Sequence, residues 1–426
     1  MASVLQRKVW PAAASGAHSA AGACRLSSTS LWQSSSWDST SHVDVAVVGG
    51  GICGLGAALE AQQRGQRVAV LEAGVVGCGA SGRNAGFLIR GFADNFKVAT
   101  EQFGVEAAQA LWRFTEANIA ALQDVGVMEL HSVQAKPSCL LALDAEEAAD
   151  LEATCALMGS HGLEAELVYP GQVQDSVWRG GTEDGAPRPL VGLVNPGDRI
   201  VNPMHILSVL QSALSDPVHE HCPVHDISPT SDGHGRVLAR QVLVATNGYT
   251  QAVTPSLLPE AVGALARPVK GQMVSGTMPG LELAFAYYAD RGDKYFREGP
   301  GGSLLMGGCR RAHAASQVGT DDATSQEVQG SLAAFAQALL GAPFAPQQAW
   351  CGTMGFSPDG LPAAGPVLAQ SKGSAPPVWW AGGFTGHGMS MGYLFGRQSM
   401  GEMLAGEAPQ LPLPLSRFGV EAELRR

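Results

Sequence analysis

The sequence has eight cysteines but no Cys-x-x-Cys pair, which argues against a zinc ribbon and against a redox dithiol. It also lacks a long uninterrupted apolar run. The longest uncharged stretch with a helical pattern, residues 376–396, is broken by prolines, glycines and a histidine, so we expect no membrane span. Carboxylates are absent from residues 1–37, which hold three cations; the chain total of −11 therefore leaves −14 for residues 38–426. The net negative charge of residues 38–426 does not favour nucleic acid as a partner.

The N-terminal segment has a composition of its own. Residues 1–37 combine Arg7, Lys8 and Arg25 with nine serines. A basic, serine-rich and acid-free segment is typical of an organelle transit peptide, so we interpret residues 1–42 as a transit peptide or a disordered tail. We expect an organelle, the mitochondrion rather than the plastid, although composition alone does not separate the two. A plain tail would leave the protein in the cytoplasm.

The stretch VAVVGGGICGLG (45–56) has the glycine spacing of a phosphate-binding turn. It overlaps a valine-rich run, residues 43–48, with the length and composition of a buried parallel strand. Residues 52–64 have a helical pattern, and residues 67–73 predict a second strand. The glycines therefore stand in the strand, turn and helix context that dinucleotide sites require.

Each residue of this turn has a mechanical role. Gly49 permits the tight turn, Gly51 lets a pyrophosphate approach the backbone, and Gly54 lets the helix lie close to the sheet. The helix N-terminus, with its unpaired N–H groups, would face the phosphates. Glu72, 23 positions after Gly49, would accept hydrogen bonds from the ribose hydroxyls. This unit predicts a dinucleotide but does not choose between NAD and FAD.

Two further glycine-rich segments favour FAD. Residues 74–90 form a loop in which Ser81, Arg83 and Asn84 can donate hydrogen bonds to a polyphosphate or a flavin; an ordinary surface loop is the alternative. VWWAGGFTGHGM (378–389) predicts a strand, a glycine turn and the start of a helix. A second glycine-lined helix N-terminus is unnecessary for NAD, but it would stabilise the negative charge of a reduced flavin.

Together with LEAG, RPVKGQM and WCGTMGFSPDGLP, these motifs resemble the D-amino-acid-oxidase-like FAD-dependent oxidoreductases, the group of glycine oxidase, sarcosine oxidase and gamma-glutamylputrescine oxidase. The resemblance covers about residues 43–406, and ASGRNAGF with residues 290–308 looks most like the gamma-glutamylputrescine oxidase branch. It implies an α/β chain with an FAD-binding Rossmann-like domain of the glutathione-reductase type and a substrate domain with an antiparallel sheet. We expect noncovalent FAD, because attachment would need a residue near Gly352, and Cys351 beside it would face the other way.

The resemblance implies that both domains are assembled from separated segments. The FAD-binding domain would comprise residues 43–90, 191–265 and 350–410. The substrate domain would comprise residues 91–190 and 266–349 and form a roof over the flavin. Residues 411–426 would be a C-terminal tail.

Several elements are expected between the motifs. Residues 105–125 have an amphipathic helical pattern, Asp144 with Glu147 predicts a capping box, and Asn202 followed by a proline predicts a helix start. Residues 241–249 predict a buried strand that ends at a loop.

Two short segments bear on metal binding and on the peripheral sheet. HEHCPVH (219–225) gathers histidines and Cys222 on one crowded extended stretch, so we interpret it as a polar strand edge and expect no metal. Residues 222–240 are about ten residues short of the three-stranded meander usual in the family, which means that a strand is missing or a segment has been lost.

The residues expected to hold FAD are those that match the family's motifs position by position. They are Gly49, Gly51, Ile52, Cys53, Gly54, Glu72, Ala73, Ser81, Gly82, Arg83, Asn84, Gly86, Phe87, Ala245, Thr246, Gly383, Phe384, Gly386, His387, Gly388 and Met389.

The resemblance also implies a reaction. A hydride from the carbon next to nitrogen in a small amine or amino acid passes to flavin N5, the imine hydrolyses, and the reduced flavin gives its electrons to oxygen or another acceptor. His387 matches a histidine beside the flavin, and Arg90 matches an active-site arginine that could bind a carboxylate. Lys270, Tyr295 and Arg297 lie in roof strands and could contact the substrate. A helix-capping histidine, a surface arginine and a structural lysine are the alternatives.

Other functions stay open. Ser390 and Leu305 stand where sarcosine oxidase has lysines, which disfavours a simple sarcosine-like substrate. A flavin dehydrogenase of an amine or 2-hydroxy acid could deliver electrons to a quinone or an electron carrier. A non-catalytic flavoprotein could act in assembly. An NAD dehydrogenase would leave the C-terminal glycine turn unexplained.

Overall fold

The computed structural model describes residues 3–6, 41–92, 95–180, 185–228, 236–253, 258–368, 378–410 and 413–418. Within these ranges the chain forms 18 strands and 11 α-helices, which build two large sheets and a small three-stranded one. Most of the segment interpreted as a transit peptide and most of the C-terminal tail lie outside the described residues. None of the described helices combines the length and the apolarity that a membrane span needs.

The strands are, in chain order, β1 (Ser3–Gln6), β2 (Ser41–Val48), β3 (Val68–Leu71), β4 (Phe87–Leu88), β5 (Gln134–Ala135), β6 (Ser138–Ala142), β7 (Glu166–Val168), β8 (Val191–Asn195), β9 (Arg199–Ile200), β10 (Asp226–Ser228), β11 (Arg236–Val244), β12 (Arg267–Thr277), β13 (Ala286–Ala289), β14 (Lys294–Glu298), β15 (Leu304–Gly308), β16 (Ala345–Phe356), β17 (Ala363–Leu368) and β18 (Val378–Gly382). The helices are α1 (Ile52–Gln63), α2 (Ala80–Arg83), α3 (Phe96–Phe103), α4 (Val105–Asp124), α5 (Ala145–Ser160), α6 (Ser176–Arg179), α7 (Pro203–Ser212), α8 (Thr250–Val253), α9 (Glu260–Ala264), α10 (Gln326–Leu340) and α11 (Gly388–Ala405).

The first sheet has a parallel centre in the order β3, β2, β11, β18, and β17 pairs antiparallel with β18. Side chains of β2 alternate between two buried layers. Val45 and Val47 pack in the layer that contains α1 and α11, whereas Ala46 and Val48 pack on the opposite face. A strand that is buried on both faces has a nearly continuous apolar sequence. The buried parallel strand predicted for residues 43–48 is therefore confirmed.

An additional strand completes the edge of this sheet. The N-terminal strand β1 lies between β10 and β11 and pairs antiparallel with both. From the short segment 222–240, the sequence predicted that a strand of the peripheral meander is missing or that a segment has been lost. In the structure residues 3–6, which lie within the segment interpreted as a transit peptide or a disordered tail, form a strand of that meander and separate β10 from β11.

The second sheet forms the roof predicted for the substrate domain. Its order is β16, β12, β15, β14, β13, β6, β8, β7, and all neighbours are antiparallel except β13 and β6. The expected antiparallel sheet therefore contains one parallel pair. No hairpin constrains the direction of these two strands, because they come from distant parts of the chain. β8 and the whole of β16 pair within this sheet, so residues 191–195 and 350–356 lie in the roof although the sequence assigned them to the FAD-binding segments.

Helices α1 and α11 pack with their backbones in contact. A Cβ atom on Gly56 would lie 2.4 Å from the carbonyl oxygen of Tyr393, and one on Gly396 would lie 2.1 Å from that of Cys53. Only glycine permits such an approach. α1 follows β2 and α11 follows β18, so both helix N-termini lie at the carboxyl edge of the parallel strands, where ligands bind in such sheets.

The predicted helix starts are confirmed by their caps. Asp144 accepts a hydrogen bond from the Glu147 N–H at 2.8 Å, and Asn202 accepts one from the Met204 N–H at 3.0 Å. The Glu147 carboxylate accepts from the N–H of Leu143, one residue before the position that a capping box predicts. α4 occupies nearly all of the predicted amphipathic range.

The histidine-rich segment is a strand edge, as predicted. His219 forms a parallel bridge with Leu71 beyond β3, and its carbonyl accepts from the Glu72 N–H at 2.9 Å. The N–H of Cys222 in turn donates to the carbonyl of Glu72 at 2.7 Å. These bonds hold the segment beside the residue expected to bind the ribose.

Candidate active site

The turn between β2 and α1 has the geometry of a phosphate-binding turn. Gly49 has φ +110°, and a Cβ there would lie 2.7 Å from the carbonyl oxygen of Ala245. A Cβ on Gly54 would lie 2.0 Å from the Gly49 carbonyl oxygen, so the helix can approach the strand only without a side chain. Gly51 is the N-cap of α1 and has no capping side chain of its own. Apart from the N–H of Ile52, which donates to Ser81, the first turn of α1 thus presents main-chain N–H groups that a ligand can approach.

The carboxylate of Glu72 is held at this turn by main-chain donors. Its Oε2 accepts from the N–H of Gly50 and its Oε1 from the N–H of Gly74, both at 2.8 Å. Oε1 also lies 3.5 Å from the Cys78 thiol, whereas Oε2 keeps a second lone pair that can accept a hydrogen bond from a hydroxyl. Ala73, the next predicted residue, is exposed beside it.

The glycine-rich loop after β3 folds back onto the start of α1. Ser81 Oγ accepts from the Ile52 N–H at 3.1 Å, and a Cβ on Gly51 would lie 3.1 Å from that oxygen. The loop is held by its own amide, since Asn84 accepts from the N–H of Gly86 at 2.8 Å and donates to the carbonyls of α2. The structure therefore brings Ser81 to the phosphate turn, as the sequence predicted for a loop wrapped around the cofactor.

The side chain of Arg83 extends from this loop toward the roof sheet. Its guanidinium donates to the carbonyl of Cys351 at 2.9 Å and forms an ion pair with Asp322 at 3.3 Å. A Cβ on Gly352 would lie 3.1 Å from the Cβ of Arg83. The loop and β16 are thus in direct contact at the position where the sequence placed the edge of the flavin.

A cavity of about 530 Å³ lies between this loop, the C-terminal turn and the roof sheet. Four parts of the chain line this cavity. The loop and β4 contribute Ala80, Arg83, Asn84, Ala85, Phe87 and Ile89, and the roof strands contribute Gly271, Met273, Tyr288, Tyr295, Gly352, Met354 and Phe356. Two roof loops contribute Arg291, Gly292, Asp293, Arg310, Arg311 and Ala314, and the C-terminal turn contributes Thr385, Gly386, His387, Met389 and Ser390.

The C-terminal turn is held in an uncommon backbone conformation. Thr385 has φ 48° and donates its N–H to the Gly355 carbonyl at 2.8 Å. His387 is the N-cap of α11, and its Nδ1 lies 3.5 Å from the Thr385 carbonyl oxygen. Positive φ at a residue with a side chain costs free energy and is found where the surrounding structure enforces it, as at ligand sites. The turn places the imidazole and the N-terminus of α11 at one cavity.

Two tyrosines on the roof face this cavity. Burial raises the pKa of Tyr295 to about 12 and raises the pKa of Tyr288 further above its usual range. Both hydroxyls therefore keep their protons at neutral pH and can donate hydrogen bonds. Phe87 packs against the Tyr288 ring, with centroids 5.0 Å apart, and forms an apolar wall.

Sequence reasoning singled out Tyr295 but missed Tyr288, Met354 and Arg310. Tyr288 pairs with Tyr295 across the hairpin of β13 and β14. The turn sequence DRGD between two short apolar runs predicts that hairpin, and strand pairing would have placed the two rings together.

Arg90 does not line the cavity. Its Nε forms an ion pair with Asp198 at 3.3 Å, its guanidinium lies over the ring of Trp112 at 5.4 Å, and Glu116 lies 3.4 Å from Nη1. Burial raises the pKa of Asp198 to about 6, although Arg90 and the hydroxyl of Ser138 oppose this shift. In this structure the Arg90 guanidinium is therefore engaged in an ion pair outside the cavity lining, and its active-site role stays a prediction.

Lys270 lies on the face of β12 that points away from the cavity. Gly271 and Met273 line the cavity, and alternation along the strand turns Lys270 outward, where Nζ lies 3.1 Å from Asp321. Arg297 is also absent from the lining. Its guanidinium donates to main-chain carbonyls, including that of Val201 at 3.1 Å, and burial lowers its pKa to about 10.

Several predicted cofactor residues could contact a cofactor only through their main-chain atoms. Their side chains are buried in the core, or the position has no room for a side chain. Ile52, Cys53 and Phe384 pack in the core, and burial raises the pKa of the Cys53 thiol to about 12. A Cβ on Gly82 would lie 2.3 Å from the Gly77 carbonyl oxygen, and one on Gly86 would lie 1.9 Å from that of Val201.

Two predicted positions lie just beyond the ends of the neighbouring strands β11 and β18. Thr246 follows β11, and its Oγ1 lies 3.1 Å from that of Thr250. Gly383, after β18, has φ +80° and donates its N–H to Asn247 at 2.9 Å. Gly388 is the first residue of α11.

The residues present fit FAD at both ends. At Gly49 a Cβ would lie 2.7 Å from a main-chain carbonyl oxygen, and Glu72 lies beside this turn with an oxygen that can accept from a ribose. The second helix N-terminus, at His387, opens on the cavity. NAD would not need that second site, so the arrangement favours the extended flavin dinucleotide.

Comparisons with known proteins show the family to which the chain belongs. The family described as FAD dependent oxidoreductase matches residues 44–399. The chain is 24% identical over 399 residues to the probable oxidoreductase OrdL of Haemophilus influenzae, covering 87% of this chain and 85% of that protein. It is 24% identical over 397 residues to the gamma-glutamylputrescine oxidoreductase of Escherichia coli, covering 88% of each.

Solved structures share the fold. The glycine oxidase of Geobacillus kaustophilus superimposes with a TM-score of 0.67 at 23% identity, covering 88% of this chain and 98% of that one. The L-proline dehydrogenase of P. horikoshii superimposes with a TM-score of 0.68 at 17% identity, covering 87% of this chain and 95% of that one. Because the family match spans most of the chain, this protein is an FAD-dependent oxidoreductase of the D-amino-acid-oxidase-like family.

Proposed function

We propose that this protein oxidises the C–N bond of an amine or amino acid, with oxygen as the electron acceptor and hydrogen peroxide as a product. One observation carries the proposal: a single cavity of about 530 Å³ is lined by the cofactor loop, the His387 turn and the roof tyrosines. Similarity to gamma-glutamylputrescine oxidoreductase and glycine oxidase supports an amine or amino-acid substrate. When bound, FAD accepts the hydride that leaves the carbon next to nitrogen.

The cofactor would be held noncovalently along the carboxyl edge of the parallel sheet. The N-terminus of α1 and Ser81 would face the pyrophosphate, and Glu72 would accept from the ribose. Cys351 is fully buried, and its carbonyl, not its thiol, is bonded to Arg83. The thiol is therefore a poor candidate for a covalent link.

The cavity's own residues favour a neutral amine held out of water. Phe87, Met273 and Met354 form apolar walls, which limit water at the reacting carbon. Arginines outnumber the single lining carboxyl group, so a protonated ammonium is disfavoured relative to the free amine that hydride loss requires. His387 and the hydroxyls of Tyr288 and Tyr295 are the polar groups that can orient the substrate.

The experiment uses the purified full-length protein. Its visible spectrum is recorded, and amines, amino acids, polyamine conjugates and 2-hydroxy acids are then added without oxygen while the flavin absorbance at about 450 nm is followed. We expect bleaching by an amine or amino acid and rapid recovery with peroxide when air is admitted.

Each other outcome has a defined meaning. Recovery only with a quinone or an electron carrier would assign a dehydrogenase. Bleaching only by a 2-hydroxy acid would contradict C–N oxidation. A flavin spectrum that no compound changes would favour a non-catalytic role, and a colourless protein would remove FAD from the proposal.

We also propose that the N-terminal segment directs the protein to an organelle, with the mitochondrion favoured. Its basic, acid-free and serine-rich composition supports this. A fusion of residues 1–42 to a fluorescent protein should enter the organelle, whereas the same fusion with Arg7, Lys8 and Arg25 changed to Gln should not. Diffuse cytoplasmic fluorescence of the unchanged fusion would overturn the proposal.

A further inference from the structure

Residues 413–418, which the sequence assigned to a C-terminal tail, are docked on the first sheet. The N–H of Ala364 in β17 donates to the carbonyl of Leu413 at 3.2 Å. This contact brings Arg417 to the SPDGLP loop, residues 357–362, which connects β16 to β17. The described part of the tail therefore belongs to the folded protein.

The guanidinium of Arg417 holds both the side chain and the main chain of the SPDGLP loop. Its Nε donates to Asp359 Oδ2 at 2.8 Å, and its Nη2 donates to Asp359 Oδ1 at 3.2 Å. Nη2 also lies 2.8 Å from each of the carbonyl oxygens of Leu361 and Pro362. The ion pair is largely buried, since the two side chains are 19% and 28% exposed. A planar guanidinium suits this set of acceptors, whereas a lysine would reach only part of it.

The carboxylate of Asp359 connects this ion pair to the other end of the loop. Its Oδ1 accepts from the N–H of Leu361 at 3.0 Å and from Ser357 Oγ at 3.4 Å. Ser357 in turn donates its N–H to Thr385 Oγ1 at 3.2 Å, and its Oγ lies 3.3 Å from the same oxygen. The SPDGLP loop is thus bonded directly to the C-terminal turn.

Thr385 is the residue of that turn that most needs external support. It lines the cavity two residues before His387, and its φ of 48° is unfavourable for a β-branched side chain. Such a conformation persists only where the surrounding structure holds it. The hydroxyl of Thr385 bonds to the carbonyl of Gly383 at 3.3 Å as well as to Ser357. Loss of the contact with the loop would therefore let the turn relax.

We infer that Arg417 is a positioning residue for the active site. It acts through Asp359 and Ser357 on Thr385, and so fixes the turn that carries His387 at the cavity. Arg417 itself is outside the cavity lining. The inference rests on the proposed function for the term active site, but the position of the turn can be measured without turnover.

The first test measures the turn by hydrogen exchange and mass spectrometry on the FAD-loaded full-length protein. In Arg417→Gln the peptide that contains residues 383–389 should exchange roughly tenfold faster than in the wild type, because local opening becomes easier when charge-assisted bonds are lost. The peptide that contains the Gly49 turn should exchange at the wild-type rate. Thr385→Val keeps the branched shape and removes the hydroxyl, so it should accelerate exchange of the same peptide.

A second arginine pair provides the matched control. Arg64 donates to both oxygens of Glu407 at 2.8 Å and 2.6 Å, just beyond the opposite end of α11. Arg64→Gln therefore removes a bidentate pair of the same chemistry, far along the helix from His387. It should leave exchange of residues 383–389 unchanged.

The second test measures anaerobic reduction of the flavin. Arg417→Gln should slow reduction at saturating substrate by about tenfold, because a small displacement of a group at the reacting centre has a large effect on rate. The substrate concentration for the half-maximal rate should change by less than about threefold, since Arg417 does not line the cavity. In a His387→Asn background the same change should add little, because both act through one imidazole. Rate losses that multiply would overturn the inference.

The remaining outcomes separate the inference from the proposed function. A lowered Tm in Arg417→Gln with unchanged exchange of residues 383–389 would show a purely structural role and overturn the inference. Faster exchange of that peptide, in a protein whose flavin no compound reduces, would support the positioning of the turn and remove the proposed function. If Arg417→Gln does not fold, Asp359→Asn replaces it, because asparagine keeps an acceptor for the Leu361 N–H and loses the charge that binds Arg417. The same outcomes then apply.

Discussion

The side-chain oxygen of Asn247 accepts a hydrogen bond from the main-chain N–H of Gly383 at 2.9 Å. Asn247 follows β11 and Gly383 follows β18, so this bond joins the ends of two adjacent parallel strands at the turn that leads to His387. Asn247 has φ 43°, a conformation that asparagine adopts more readily than other residues with side chains. A Cβ on Gly355 would lie 2.5 Å from the same oxygen, so the amide is enclosed.

Asn247→Ala should therefore lose stability from two causes. The missing acceptor costs about 1 kcal/mol and the strained positive φ about another 1 kcal/mol. Asn247→Gly keeps the backbone conformation and loses only the acceptor, so it should be the more stable of the two. Urea unfolding measures the stability, and flavin fluorescence measures the release of FAD. An alanine variant as stable as the wild type would show that the bond does not hold the turn.

Gly51→Val should give folded protein without yellow colour. The valine side chain would occupy the space beside Ser81 Oγ, which lies 3.1 Å from the position of a Cβ, and would block the approach of the pyrophosphate to α1. Absorbance of the purified protein measures the FAD content, and circular dichroism verifies the fold. Gly159→Ala is the control, since a Cβ there meets nothing within 4 Å. Full retention of flavin by Gly51→Val would contradict the assignment of the turn.

His387 and Arg90 should differ in what they affect. His387→Asn should slow anaerobic reduction of the flavin by about 10- to 100-fold while retaining FAD, because the imidazole lines the cavity. Arg90→Gln should lower the Tm and leave the reduction rate of the folded protein within about threefold, because its ion pair with Asp198 lies outside the cavity. Stopped-flow absorbance measures the rates. A large rate loss in Arg90→Gln without a loss of Tm would restore the active-site role that the sequence suggested.

The stability of the protein should depend on the protonation of Asp198. Its folded pKa of about 6 lies above the ordinary value of 3.8, so the folded state binds the proton more tightly than the unfolded state. The resulting stabilisation is fully present below about pH 4 and is lost as the pH rises through 6; it amounts to about 3 kcal/mol.

This dependence is measured against Asp198→Asn, which cannot titrate. The unfolding free energy of the wild type minus that of the variant, from urea unfolding at pH 7, 6 and 5, should increase as the pH falls. A difference that shrinks toward pH 5 would mean that the ion pair with Arg90 holds the carboxylate ionised and that its pKa is not raised.

Elements specified by neighbouring residues could be read from the sequence. The turn of Gly49 and Gly51, the caps at Asp144 and Asn202, and the buried strand β2 all appear where their local patterns placed them. These features depend on contacts within a few positions along the chain, and each carries its signal in residue type and spacing.

The partners of charged side chains required the tertiary structure. Arg90 follows the motif that predicted it, but Asp198, which takes its guanidinium, is remote in sequence. Lys270 lies in the predicted roof strand, but only the pairing of β12 with β15 and β16 decides which face turns toward the cavity. The parallel pairing of β6 with β13 joins strands that no hairpin connects.

The sequence alone thus determined the family, the cofactor turns and most of the elements, because these follow from local spacing and from motifs in a constant order. Only the tertiary structure decided which cations have counterions, which tyrosines share a wall and where the cavity lies. Arg310 illustrates the difference: beside Arg311 in sequence it is one of two similar arginines, and only the folded structure shows that Arg310 stacks on Phe356 while Arg311 pairs with Asp290.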